Sequence, residues 1–202
     1  MNTISYRPML LSDIDQVPLG CQGQRDAIVA RIGELGAGAI LGFDGDQHVA
    51  QLQFRRYDQT LRSPDGLWDP LYWGDFGEQA PALPTKTLSV FCYHVGQLED
   101  SDARDANYQG LGIGLALLDY FLNWAASAGF ACVTAKCTPT PRAVMSFMGG
   151  QPAEAYINRG FELTESWIDA QLREVVQEKR LVSEDTDLDE AARVGCCVKL
   201  FD

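Results

Sequence analysis

The hydrophobic pattern of this chain alternates between strand-like and helix-like segments, with no repeats or low-complexity tracts. Thr3 to Arg7 predicts a first strand that ends at Pro8, and Ser12 and Asp13 are placed to cap a short helix across Asp15 to Val17. From Gln22 to Leu35, the apolar positions Ile28, Val29, Ile32 and Leu35 share one helical face, and Gly36 and Gly38 stop that helix. Ala39 to Phe43, a turn at Asp44-Gly45-Asp46 and His48 to Tyr57 predict a β-hairpin. Thr87 to Val95 is rich in β-branched and aromatic residues and is the best strand candidate. After the acidic loop Glu99 to Asp105 comes a Gly-rich turn, then a helix to about Ala128 that is apolar nearly all round. Only Asp119, Asn123 and Ser127 form a polar stripe, so this helix is expected to be largely buried.

The second half continues the alternation. Ala131 to Lys136 predicts a strand, Pro152 to Asn158 a short helix closed by Gly160, and Phe161 to Trp167 another strand. Ile168, Leu172, Val175 and Val176 place an apolar stripe on a tail helix; Glu184 to Glu190 is an acidic connector, and Val194 to Phe201 a final strand. A mixed α/β or α+β fold with a largely antiparallel sheet of about seven strands follows. One domain over 1–202 is the simplest count, with an insertion at about 58–86 and a helical one at about 168–192 before the last strand. The 58–86 segment is rich in Pro and Gly yet holds Trp68, Tyr72, Trp73 and Phe76, which favours an ordered loop, one that covers a sheet edge or walls a small-molecule pocket.

Composition narrows the partners. Hydrophobic residues make up 46% and charged residues 22%, the balance of a globular chain. Sixteen Lys+Arg against 28 Asp+Glu give a formal charge of −12. With no local basic patch, a nucleic-acid partner is not expected, whereas a cationic amine would be drawn in. No apolar run is long enough to span a bilayer and no signal-like h-region opens the chain; the expectation is a cytoplasmic protein without a membrane partner. The six cysteines include no C-x-x-C pair and are expected to be reduced. With only His48 and His94, far apart, no metal is expected.

The turn Tyr108-Gln109-Gly110-Leu111-Gly112-Ile113-Gly114 carries the most specific chemistry. Alternating glycines let a ligand approach the backbone, and the first amides of the following helix have no partners within it, an arrangement that binds phosphate. The same glycines also suit a turn made for tight packing. A dinucleotide fingerprint wants a different glycine spacing after a first strand, and a Walker loop would need Gly-Lys-Ser/Thr.

The segment resembles the acetyl-CoA loop of the GNAT superfamily of N-acetyltransferases, Gln/Arg-x-x-Gly-x-Gly/Ala, through Gln109, Gly112 and Gly114. A second segment, Tyr156-Ile157-Asn158-Arg159-Gly160-Phe161, is similar to that family's Tyr-x-x-x-Gly-Phe, and Cys197-Val198-Lys199-Leu200 to its terminal strand. The resemblance implies a mixed sheet that splays between two parallel strands, here Thr87 to Val95 and Ala131 to Lys136. It implies acetyl-CoA as co-substrate, held at Val95 and by Gln109, Gly110, Leu111, Gly112, Ile113 and Gly114. It further implies that Tyr156 donates a proton to the departing thiolate. Gly149 departs from the pattern, since many members carry Asn seven residues before that tyrosine.

No fixed spacing marks the base that an ammonium of pKa about 10.4 requires; Glu99, Asp100 and His94 are candidates. Trp68, Tyr72 and Trp73 are candidates for the acceptor pocket, and Cys137 for a place near the thioester. The expected activity is acetyl transfer from acetyl-CoA to a primary amine of a small molecule, by direct attack in a ternary complex. Acetylation of a protein or peptide amine, a different acyl group, and CoA binding without catalysis are the alternatives. A homodimer is compatible with the resemblance but has no signature in the sequence.

Overall fold

The computed structural model describes residues 3–62, 75–101 and 103–201. Seven strands form a sheet in the order β1-β2-β3-β4-β5-β7-β6. They are β1 (Ser5–Pro8), β2 (Ala39–Asp44), β3 (Gln47–Arg56), β4 (Thr87–Val95), β5 (Cys132–Cys137), β6 (Glu162–Ile168) and β7 (Arg193–Leu200). The β4–β5 pair is parallel, and the β1–β2, β2–β3, β5–β7 and β6–β7 pairs are antiparallel. This is the mixed, mostly antiparallel α+β architecture that the hydrophobic pattern predicts. Among the described residues no helix is long and apolar enough to cross a membrane.

The chain divides into two compact units, Met1–Arg56 with Cys92–Phe130, and Tyr57–Phe91 with Ala131–Asp202. In the first unit, α1 (Arg25–Leu35) buries Ile28, Ile32 and Leu35 and ends at Gly36 in a left-handed conformation. Its apolar face joins Met9, Ile14, Val17, Ala39 and Leu41 in one cluster. Helix α2 (Ile113–Ser127) lies against β1, β2 and β3 and buries Leu117, Leu118, Phe121, Leu122 and Ala125. Phe121 and Trp124 stack on Phe54 of β3 at centroid distances of 4.8 and 5.0 Å. Each such buried aromatic or aliphatic side chain stabilises the unit by about 1.5–3 kcal/mol. Asp119, Asn123 and Ser127 form the exposed stripe.

In the second unit, Thr87 to Val90 pair with Cys132 to Ala135, and the pairing ends there although the strands run on to Val95 and Cys137. Helices α3 (Arg142–Met148), α4 (Ala153–Ile157), α5 (Ala170–Glu178) and α6 (Leu188–Ala191) complete it. Lys136 makes a salt bridge of 2.7 Å with Asp169, the two side chains only 7% and 14% exposed. Asp169 also caps α5 by accepting from the Leu172 N–H, and Lys136 donates to the Asp75 carbonyl at 3.1 Å. Phe76 is buried against Tyr57 and Trp167. The described ends of the 58–86 segment therefore pack on their own unit.

Three local expectations change, and one further helix appears. Ile168 closes β6 rather than opening the tail helix, because Asp169 supplies the α5 cap. Residues 142–148, to which the hydrophobic pattern assigns no element, form α3 after Pro141. The acidic connector holds α6, capped by Asp187. No helix forms across Asp15 to Val17: Asp13 instead accepts two hydrogen bonds of 2.7 Å from Arg7 and one of 2.8 Å from the Leu10 N–H, which fixes a single 3₁₀ turn at Leu11–Asp13.

Candidate functional site

The first unit gathers most of the predicted site residues. Strand β4 delivers Cys92, Tyr93, His94 and Val95, and Gly96 then donates to the Val49 carbonyl at 2.7 Å, fixing where the strand stops. Asp105 returns to the same point, its N–H donating to the Gly96 carbonyl at 2.8 Å, and its carboxylate accepts from the Asn107 N–H. The chain then makes one 3₁₀ turn, Ala106–Tyr108, and enters the Gly-rich segment. Gln109 reaches back, its Nε2 donating to the Val95 carbonyl at 2.6 Å.

Gly110 and Gly112 adopt φ of 72° and 77°, the left-handed region that disfavours side chains. A Cβ built at either position would meet nothing within 4 Å, so packing does not demand glycine there; the backbone turn does, and the space above it is open. Gly112 caps α2 with no side-chain hydrogen bond, and the first intrahelical N–H of this turn belongs to Ala116, which donates to the Gly112 carbonyl at 3.0 Å. The α2 amides ahead of Ala116 are thus left at the positive end of the helix dipole, with no acidic side chain in the first turn. Leu111, 50% exposed, and Ile113, buried, flank them. Uncapped amides under open space fit a diphosphate.

His94 is buried and engaged at both ring nitrogens. Nε2 lies 3.3 Å from the Cys92 Sγ and Nδ1 lies 3.1 Å from an Arg104 nitrogen. A guanidinium has no lone pair to accept with, so Nδ1 is the acceptor and the ring proton sits on Nε2, facing Cys92. Glu99 is exposed, its carboxylate 3.5 Å from the Ser101 hydroxyl. Asp100 accepts from the Leu19 N–H at 2.8 Å and so helps to hold the segment before α1. The same segment is held from β3, where Gln51 donates to the Pro18 carbonyl at 2.7 Å and Gln53 to the Leu19 carbonyl at 3.0 Å. Sequence reasoning misses Arg104, Gln51, Gln53 and Cys21: the two glutamines share one face of β3 at a spacing of two, but no spacing links them to Cys21 or Arg104.

The second unit holds the remaining candidates. Tyr156 lies in α4, 1% exposed, edge-on to Phe161 at 5.2 Å. Gly149 ends α3 in the left-handed region, its N–H donating to the Met145 carbonyl. The Cys137 thiol is buried and held below its ordinary range by a hydrogen bond from Cys197. Trp68, Tyr72 and Trp73 lie outside the described residues.

No family model and no curated protein sequence matches this chain. Solved structures do. The putative acetyltransferase yncA from Salmonella typhimurium, determined with its cofactor acetyl-CoA, superimposes with a TM-score of 0.55 at 13% identity, over 100% of this chain and 95% of that one. An N-acetyltransferase from Staphylococcus aureus Mu50 gives 0.52 at 11% identity, over 98% and 99%. Ard1 from Thermoplasma volcanium gives 0.50 at 13% identity, over 98% and 97%. At these identities the likeness is one of fold, and the fold is that of the acetyltransferases among them.

Proposed function

We propose that this chain, built on the fold of N-acetyltransferases, transfers the acetyl group of acetyl-CoA to the primary amine of a small molecule. The observation that carries this reading is the turn at Gly110 and Gly112, both at positive φ under open space, leading into the uncapped amides of α2. A structure of the same fold, from Salmonella typhimurium, holds acetyl-CoA as its cofactor.

In this proposal the amides from Gly110 to Gly114 hold the diphosphate, and Gln109 fixes the turn to Val95, whose main chain orients the pantetheine arm. The bound thioester supplies an activated acyl carbon. The amine nitrogen attacks it, the new C–N bond forms and the C–S bond breaks; the departing thiolate takes a proton from Tyr156, and the proton lost by the new amide nitrogen replaces it. Holding both reactants side by side is worth several kcal/mol of barrier, about 7–11 at best. Because both nitrogens of His94 are engaged, Glu99 is assigned to take the ammonium proton, directly or through water. The formal charge of −12 favours a cationic acceptor. Trp68, Tyr72 and Trp73 are assigned to the acceptor pocket.

One observation favours a second reading, CoA binding without catalysis: Tyr156, assigned as proton donor to the thiolate, is 1% exposed. Release of free CoA thiol from acetyl-CoA, measured across amines, amino acids, aminoglycosides, polyamines and peptides, separates the readings. Turnover with a small amine supports the first proposal, and turnover with peptides alone moves the acceptor to a protein. Saturable acetyl-CoA binding with no turnover on any acceptor leaves the binding module.

A further inference from the structure

We propose that Cys21 is an activated thiol, and that a hydroperoxide oxidises it, with Cys92 as resolving partner, to a reversible disulfide. The two sulfurs and a ring nitrogen of His94 lie within 4.8 Å of one another, on the segment before α1 and on β4. That segment is pressed on its neighbours: a Cβ at Gly20, whose φ is 58°, would sit 2.8 Å from Nε2 of both His94 and Gln53. Gln51, Gln53 and Asp100 hold Pro18 and Leu19 by the hydrogen bonds described above, and Asp100 also accepts from the Gly20 N–H at 3.4 Å, so Cys21 is delivered to Cys92 by a fixed backbone.

The polarity of the contacts singles out Cys21 as the nucleophile. Arg104 can only donate, so His94 accepts at Nδ1 and turns the proton on Nε2 toward the Cys92 sulfur. The Cys92 thiol also shares a hydrogen bond with Cys21, besides a long 4.0 Å contact with the Tyr93 carbonyl. The Cys92 thiol is pushed well above its ordinary range, first by the hydrogen bond with Cys21 and then by burial, so Cys92 keeps its proton. The contacts Arg104, His94, Cys92 thus lead to the Cys21 sulfur, and Cys21 is the half-exposed member of the pair, the one a peroxide can reach. The same orientation suits a cation poorly, because the ring nitrogen facing the sulfurs carries the hydrogen.

The chemistry balances with one hydroperoxide. The Cys21 thiolate attacks its terminal oxygen, the O–O bond breaks, the alkoxide or hydroxide leaves and is protonated, and Cys21 becomes a sulfenic acid. The Cys92 sulfur then attacks Cys21, the S–O bond breaks, and the hydroxide leaves as water with the proton that Cys92 gives up. Two thiols lose two electrons and the peroxide gains them; a dithiol reductant reverses the change. The bond would join the segment before α1 to β4, two residues ahead of His94.

The test uses the reduced full-length protein with stoichiometric hydrogen peroxide, followed by non-reducing peptide mass spectrometry. The expected product is the Cys21–Cys92 cross-linked peptide, cleaved by dithiothreitol. Cys92→Ser, which keeps a donor beside Cys21 but cannot form the disulfide, stops at the sulfenic acid, trapped at Cys21 by dimedone. Exposure alone would also favour Cys21 over buried thiols, so a second arm measures its alkylation by iodoacetamide, which needs no disulfide. Arg104→Met slows that reaction roughly tenfold by removing the first of those contacts, and Arg104→Lys restores part of it. A different cysteine pair linking first, or Cys21 alkylation unchanged in Arg104→Met, overturns the proposal.

Discussion

The side-chain amide of Gln109 donates to the main-chain carbonyl of Val95 at 2.6 Å, tying the Gly-rich turn to the last residue of β4. One side chain thus positions the two stretches of backbone to which cofactor contacts are assigned. Gln109→Ala is expected to cost about 1 kcal/mol of stability and to weaken acetyl-CoA binding severalfold. Gln109→Glu sets a carboxylate against the Val95 carbonyl and adds negative charge beside the diphosphate site, so its loss of affinity is the larger. Calorimetric titration of both variants checks the order.

Gly112 and Gly36 offer a matched pair. Both hold positive φ, 77° and 85°, and a Cβ at either meets nothing within 4 Å. Each change to Ala is expected to cost about 1–2 kcal/mol through backbone strain. Only Gly112→Ala is expected to lose acetyl-CoA affinity, by roughly tenfold or more. Urea unfolding and calorimetry on the two variants separate strain from ligand exclusion.

Asp169 serves both as the partner of nearly buried Lys136 and as the cap of α5. Asp169→Ala takes the salt-bridge carboxylate from a buried ammonium and removes the cap, with an expected loss of about 3–5 kcal/mol. Asp169→Asn keeps an acceptor for the Leu172 N–H and is expected to lose distinctly less. Denaturant midpoints of the two variants give the comparison.

Burial pushes the His48 imidazole down from 6.5 to about 4. Unfolded chain binds a proton there below pH 6.5, whereas the folded protein resists until about pH 4. Stability is therefore expected to fall as pH drops through that window, by on the order of 3 kcal/mol. The Asp13 carboxyl, held below its ordinary 3.8 by hydrogen bonds from Arg7, adds its own loss only at lower pH. A His48→Gln variant should flatten the slope between pH 6.5 and 4 in urea titrations.

What the sequence makes legible is what local physics decides. The β4 boundaries, the α2 helix with its Asp119, Asn123 and Ser127 stripe, and a largely antiparallel sheet follow from periodicity and from glycines that can end a helix, whereas the parallel β4–β5 pair is what the resemblance implies. Tertiary partners defeat it elsewhere. Asp13 has the composition of a helix cap, yet Arg7 from β1 takes its carboxylate. Ile168 continues an apolar stripe, yet Asp169 starts the helix one residue later. The occupancy of both His94 nitrogens depends on Cys92 and Arg104, and neighbours along a strand or across a loop carry no signal of hydrogen-bond direction.

The amides themselves provide the most direct measurement. With glycine labelled in nitrogen-15, titration by acetyl-CoA is expected to move the Gly110, Gly112 and Gly114 resonances saturably, while Gly129, at the opposite end of α2, stays in place. Saturable binding that shifts other glycines and leaves those three unmoved, or no binding at millimolar acetyl-CoA, would contradict the account.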